Sequence, residues 1–209
     1  MGCDFSSAPT KRKQNQLAWG RLQGHVVSVD RLVACPSLAE TEAALQHCGS
    51  WVGGFDLPFG LPRTLVETLG WPTQWEALIN HYAALSRADI RDAFAGFCRA
   101  RPVGGKFAHR ATDGPAGSSP SMKWVNPPVA FMLHAGVPLL RSVGASFPGI
   151  QAAAQWTPRV ALEAYPGLLA RACVGATSYK SDDVSKQTAA RLLARKDIIT
   201  VLESGDNRL

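Results

Sequence analysis

A chain of 209 residues, 46% hydrophobic and 18% charged, is long enough for one sizeable core and too apolar for a disordered segment. Its formal charge of +6, from 22 Lys and Arg against 16 Asp and Glu scattered along the chain, favours phosphate-bearing partners only mildly. No stretch approaches the roughly 18 apolar residues of a membrane span, and Cys3, Cys35, Cys48, Cys98 and Cys173 show neither Cys-x-x-Cys pairing nor zinc spacing, which points to reduced thiols and a cytoplasmic protein.

The chain opens on a short apolar strand, Gly2-Cys3-Asp4-Phe5, that carries a carboxylate near its end. A turn over residues 7–14 holds the sole basic run, Lys11-Arg12-Lys13, most simply a solvated tip and close enough to Asp4 to suit phosphate contact. Leu17–Leu22 and His25–Leu32 read as strands around a turn at Gln23-Gly24, so the first three strands form an antiparallel meander. Ser37 then caps a helix, with Glu40 placed for a capping box and Gly49 as its stop. Trp51–Phe55 is an apolar run suited to a buried central strand, and a strand reached through a helix should pair in parallel.

Residues 61–100 are expected to be helical, with starts near Pro62 and Pro72-Thr73, and residues 101–121 to form a long loop carrying Lys106, His109, Arg110 and Asp113. A helix from Pro127-Pro128 to about Arg141 precedes a strand from Arg159 that ends at Glu163 before Pro166. A short helix after Pro166, a turn at Gly175 and a last helix from about Asp182 to Glu203 follow, the acids Asp182 and Asp183 favouring its N-terminus. The expectation is one domain over 1–209, with an insertion over about 61–155.

Three apolar strands thus each deliver one acid: Asp4, Asp56 and Glu163. Neighbouring strands lie about 5 Å apart, a separation at which two carboxylates can share a divalent ion. Hard oxygen ligands suit Mg²⁺ or Mn²⁺, and such ions stabilise the attacking and leaving oxygens in phosphodiester hydrolysis. Plainer readings stand beside this one. Asp4 is then an edge-strand acid, Asp56 a turn or helix cap, Glu163 the partner of Arg159 or Arg171, and Arg110 with Asp113 an ion pair within the loop. Trp124 beside Lys123 is mostly core, with a second use as a stacking platform for a base.

Several short motifs occur in a telling order: Gly-Cys-Asp-Phe at the start, Phe-Asp-Leu-Pro-Phe-Gly at 55–60, His-Arg-Ala-Thr-Asp at 109–113, Asn-Pro-Pro at 126–128 with Met132 and Gly136, Glu-Ala-Tyr-Pro at 163–166, and Tyr179-Lys180. Over nearly the whole chain this resembles the RNase H-like superfamily, and more closely the domain-of-unknown-function family 429, predicted RNase H-like nucleases. The resemblance implies an α/β fold with a mixed five-stranded sheet in the order 3-2-1-4-5, strand 2 antiparallel, flanked by helices. It implies a nuclease acting on DNA or RNA, with Asp4, Asp56 and Glu163 as catalytic Mg²⁺ or Mn²⁺ ligands and Ser6, Arg110, Asp113 and Lys180 lining the substrate cleft. It also implies a further acid on a C-terminal helix, for which Glu203 and Asp206 are the candidates here. Two other readings compete: a non-catalytic nucleic-acid or protein-binding module of the same fold, and an actin-like phosphotransferase or ATPase suggested by Asp4-Phe5-Ser6-Ser7 followed by Lys11.

Overall fold

The computed structural model describes residues 1–151, 157–181 and 183–205. Among them β1 (Gly2–Asp4), β2 (Asn15–Gln23), β3 (Val26–Cys35), β4 (Trp51–Phe55) and β5 (Arg159–Glu163) form a mixed sheet in the order β3-β2-β1-β4-β5. The meander β1-β2-β3 is antiparallel, whereas β4 pairs in parallel with β1 on one side and β5 on the other. This is the α/β architecture and strand order expected from the sequence. Between β2 and β3 the register shifts at Trp19 and Gly20, where any Cβ on Gly20 would lie 2.3 Å from the Ser28 carbonyl oxygen. Only glycine fits such a bulge.

Helix α1 (Leu38–His47) begins as expected, with the Ser37 hydroxyl accepting the Glu40 N–H at 3.1 Å. The box is half made, because the Glu40 carboxylate takes the Ser37 hydroxyl proton at 3.0 Å rather than its backbone N–H. Three helices, α2 (Arg63–Thr68), α3 (Trp75–Ala84) and α4 (Arg87–Arg99), open the insertion between β4 and β5. The short α5 (Asp113–Ala116) and the longer α6 (Val129–Ser142) follow, then α7 (Pro166–Val174) and α8 (Ala189–Ser204). No helix among the described residues is long and apolar enough to cross a membrane.

The last helix starts later than its acids suggested. Thr188 caps it by accepting the Arg191 N–H, while Asp183 accepts the Ser185 N–H at 3.0 Å and closes a separate 3-10 turn over Val184–Lys186. A short acid that bonds its own turn favours that turn over helix continuation. Asp182 lies outside the described residues. Where length suggested one domain, the chain divides into two compact units, one of residues 1–115 and 119–164, the other of 116–118 and 165–209.

In the first unit, Cys3, Phe5, Phe55 and Leu57 meet Leu45 of α1 and Leu139 and Leu140 of α6. Side chains alternate faces along a strand, and Val52 and Leu162, pointing the other way, are 60% and 42% exposed. The run at β4 is therefore central in the sheet, as expected, with its buried side chains on one face. Arg159 fixes the start of β5, donating to the carbonyls of Val143 at 2.6 Å, Gln46 at 3.0 Å and Gly49 at 3.2 Å.

Helix α6 approaches the sheet so closely that a Cβ on Gly136 would sit 2.8 Å from Leu57 Cδ2 and 3.1 Å from Phe5 Cε1. Both neighbours are buried, so Gly136→Ala is expected to cost about 1–3 kcal/mol by overpacking. Gly49→Ala, whose Cβ meets nothing within 4 Å, should change stability by about 0.5 kcal/mol or less. Urea denaturation of the two variants checks the contrast; equal midpoints would contradict the close approach.

Candidate functional site

The site begins with a register. In the β1–β4 ladder Gly2 stands opposite Gly54 and Cys3 opposite Phe55, and the Asp56 N–H donates to the Cys3 carbonyl at 2.9 Å. One residue further, Asp4 and Asp56 are neighbours at the carboxyl ends of two parallel strands, whose spacing is about 4.8 Å. Opposed residues of a parallel pair project to the same face, so Cys3 and Phe55 enter the core and the two aspartates point away from it. Asp4 is exposed and Asp56 half-buried. Beneath them, burial first, then the charge of Asp4, the Cys35 thiol and Asp56, push the Cys3 thiol far up. Burial thus favours the neutral thiol over the thiolate.

Glu163 behaves differently. The β4–β5 register sets it opposite Phe55, one residue short of Asp56, so the pleat sends its side chain to the other face. Its oxygens are also engaged: Oε2 accepts the Phe59 N–H at 2.9 Å and Arg110 Nη1 at 2.8 Å, and Oε1 accepts Arg110 Nη2 at 2.6 Å. The same guanidinium donates through Nε to Asp113 Oδ1 at 2.9 Å, while the Arg110 backbone N–H donates to Asp113 Oδ2 at 2.8 Å. Side-chain exposure is 0% for Asp113, 17% for Arg110 and 35% for Glu163. One planar fork thus bridges a buried and a half-buried carboxylate, geometry that a lysine would not reproduce. Burial opposes the Arg110 charge, but hydrogen bonds and charge from Glu163, then from Asp113, outweigh it and raise its pKa.

These contacts position the turn that follows Asp56. Phe59 is held from both sides, its N–H by Glu163 and its carbonyl by Trp75 Nε1 at 2.7 Å. The turn after β1 has its own anchor in Asn15, which is fully buried: its Oδ1 accepts the Ser6 N–H at 2.6 Å and its Nδ2 donates to Thr41 Oγ1 at 3.0 Å. Asn15 is not among the residues expected from the sequence, where its signal is a polar residue two before Leu17 on the inward side of a strand.

The structure therefore brings Asp4 beside Asp56, and Arg110 with Asp113 and Glu163, as two separate groups. Among the described residues no three His, Cys, Asp or Glu side chains gather into a group that could hold a metal ion. The three-carboxylate cluster expected from the sequence is not formed, because Glu163 faces Arg110. Its expected partners are occupied elsewhere, Arg159 as described and Arg171 on the carbonyls of Ala116 and Gly117. Ser6 contributes its N–H to Asn15, and its hydroxyl accepts the Ala8 N–H at 3.4 Å. Lys11, Arg12 and Lys13 form a solvated turn closed by Thr10 N–H to the Lys13 carbonyl at 2.8 Å. Lys180 is exposed in the second unit, its ammonium 5.7 Å from the centre of the Tyr179 ring. Glu203 is exposed on α8, and Asp206 lies outside the described residues.

Replacing Arg110 by Met strips a fully buried carboxylate of its guanidinium, a change that typically costs about 3–5 kcal/mol. Glu163→Gln keeps an acceptor for Phe59 and Arg110 and is expected to cost less, about 1–2 kcal/mol. Urea denaturation at neutral pH orders the two; the reverse order would mean that Arg110 serves Glu163 rather than Asp113. Comparison of the chain with protein-family models, with curated proteins and with solved structures gave no match.

Proposed function

We propose that the Asp4 and Asp56 end of the sheet hydrolyses phosphodiester bonds in nucleic acid with the help of Mg²⁺ or Mn²⁺, the activity implied by the resemblance to RNase H-like nucleases. The observation that carries this reading is the placing of two carboxylates one residue beyond the Cys3–Phe55 pair, Asp4 ending β1 and Asp56 just past the end of β4, at the carboxyl ends where open α/β sheets tend to bind their ligands. The donor set fits a hard cation: Mg²⁺ is commonly held by one or two carboxylates, with water and phosphate oxygens completing its shell. When bound, such an ion neutralises charge developing on the phosphate oxygens and lowers the pKa of water.

Asp4 and Asp56 are the residues that would hold it. Glu163 is assigned a positioning role, since both of its oxygens already accept hydrogen bonds and it braces the Asp56–Gly60 turn through Phe59. Arg110 likewise faces carboxylates with its whole guanidinium, so it serves the turn rather than a substrate phosphate. The separation of Glu163 from the aspartates favours a second reading, a nucleic-acid-binding module of the same fold without catalysis.

Incubation with labelled single- and double-stranded DNA and RNA in Mn²⁺ separates the two. Hydrolysis is expected from the unaltered chain and reduced to background in Asp4→Asn and Asp56→Asn, with Glu163→Gln retaining it wherever that variant remains folded. Equal cleavage by the unaltered chain and Asp4→Asn would remove the assignment, and nucleic-acid binding with no cleavage and no Mn²⁺ uptake would establish the module.

A further inference from the structure

The net charge is not spread along the chain. Residues 93–162 hold seven Lys and Arg and a single acid, Asp113, so they carry the whole formal charge of +6, and the remaining residues balance at 15 basic and 15 acidic. That one acid is buried against Arg110. This stretch, from within α4 to Leu162 in β5, is thus the polycationic part of an otherwise neutral chain. Arg141 and Arg159 spend their charge on Asn80 and on backbone carbonyls. Arg99 and Lys106, by contrast, are exposed.

Those two cations flank an open groove of about 270 Å³ at the end of α4, lined by Ala95, Cys98, Phe107 and Trp124 as well as Arg99 and Lys106. Its walls are apolar and aromatic. Phe107 and Trp124 lie with ring centres 5.6 Å apart and planes inclined at 56°, both half-buried, so each is braced by the core while part of its surface faces out. Cys98 forms the floor as a buried thiol, kept protonated chiefly by burial. A groove of this volume is below the usual size for a drug-like ligand and suits one planar heterocycle.

Aromatic walls with cations at the rim match one chemistry: a planar base joined to phosphates. We infer that this groove is a subsite for one nucleotide unit of a single-stranded nucleic acid, the base lying against Phe107 and Trp124 and the flanking phosphates meeting Arg99 and Lys106. A duplex is disfavoured because its bases are stacked on one another and cannot enter. The choice of a nucleic-acid strand over a free nucleotide rests on the phosphodiesterase reading; the binding itself does not involve Asp4 or Asp56.

Fluorescence anisotropy with a labelled oligothymidylate, in EDTA so that no cleavage intervenes, tests the groove. The single strand is expected to bind more tightly than a duplex of the same length, and an abasic strand with the same phosphates about tenfold or more weakly than oligothymidylate. The Arg99→Ala/Lys106→Ala double variant, altered only at exposed positions, should lose affinity about tenfold and lower the slope of log K against log salt by about 1.4. Equal binding of abasic and base-bearing strands, or an unchanged double variant, would overturn the subsite. Binding lost in the double variant while Mn²⁺-dependent cleavage is absent throughout would leave the subsite standing and remove the nuclease reading alone.

Discussion

The parallel pairing of β1 with β4 is the constraint from which the candidate site follows. Three residues make β1, too few to hold a position alone, and it is kept in place by β2 on one side and β4 on the other. With Cys3 opposite Phe55, the pleat leaves no choice about where the next side chains go. A slip of one residue would drive Asp4 into the core and bring Cys3 to the surface. Burial of Cys3, Phe5, Phe55 and Leu57 under α1 and α6 therefore selects the register that exposes the two aspartates. The apolar side of the strands sets the chemistry of the polar side.

A second layer of order comes from ions that do no chemistry of their own. Arg110 joins the loop before α5 to the end of β5, and Glu163 carries that connection on to the turn after β4. Buried ion pairs of this kind contribute little net stability against an apolar alternative, but they are costly to break and they define one arrangement. In this protein what they define is the path of Asp56–Gly60. Arg159 acts similarly at the opposite end of β5, where three carbonyl groups accept from one side chain.

Much of the fold could be read in advance because its signals are local. Alternation over residues 25–29 marked β3, Ser37 marked α1, and the glycines and prolines around Trp51–Phe55 and Val129–Ser142 bounded their elements. Side-chain partnerships were less legible, since Arg110 and Glu163 lie 53 residues apart and nothing near either one names the other. In sequence Glu163 looks like the aspartates because each sits at a strand end, yet being opposite Phe55 rather than Asp56 turns it to the other face. A short apolar run such as β4 likewise cannot say whether one face or both are covered. The late start of α8 is not legible because acids that cap a helix and acids that close a turn look the same in sequence.

The anchoring of Phe59 also bears on the order of assembly. Its N–H is satisfied by a carboxylate 104 residues away, and contacts of such separation close large loops and form slowly. The hairpin β2–β3 is built from near neighbours and can form without it. The turn carrying Asp56 is then expected to acquire its fixed path only once β5 has docked beside β4. A folding intermediate lacking β5 would thus have most of the core and an unformed carboxylate pair, so that the capacity to bind an ion becomes a late marker of the native state.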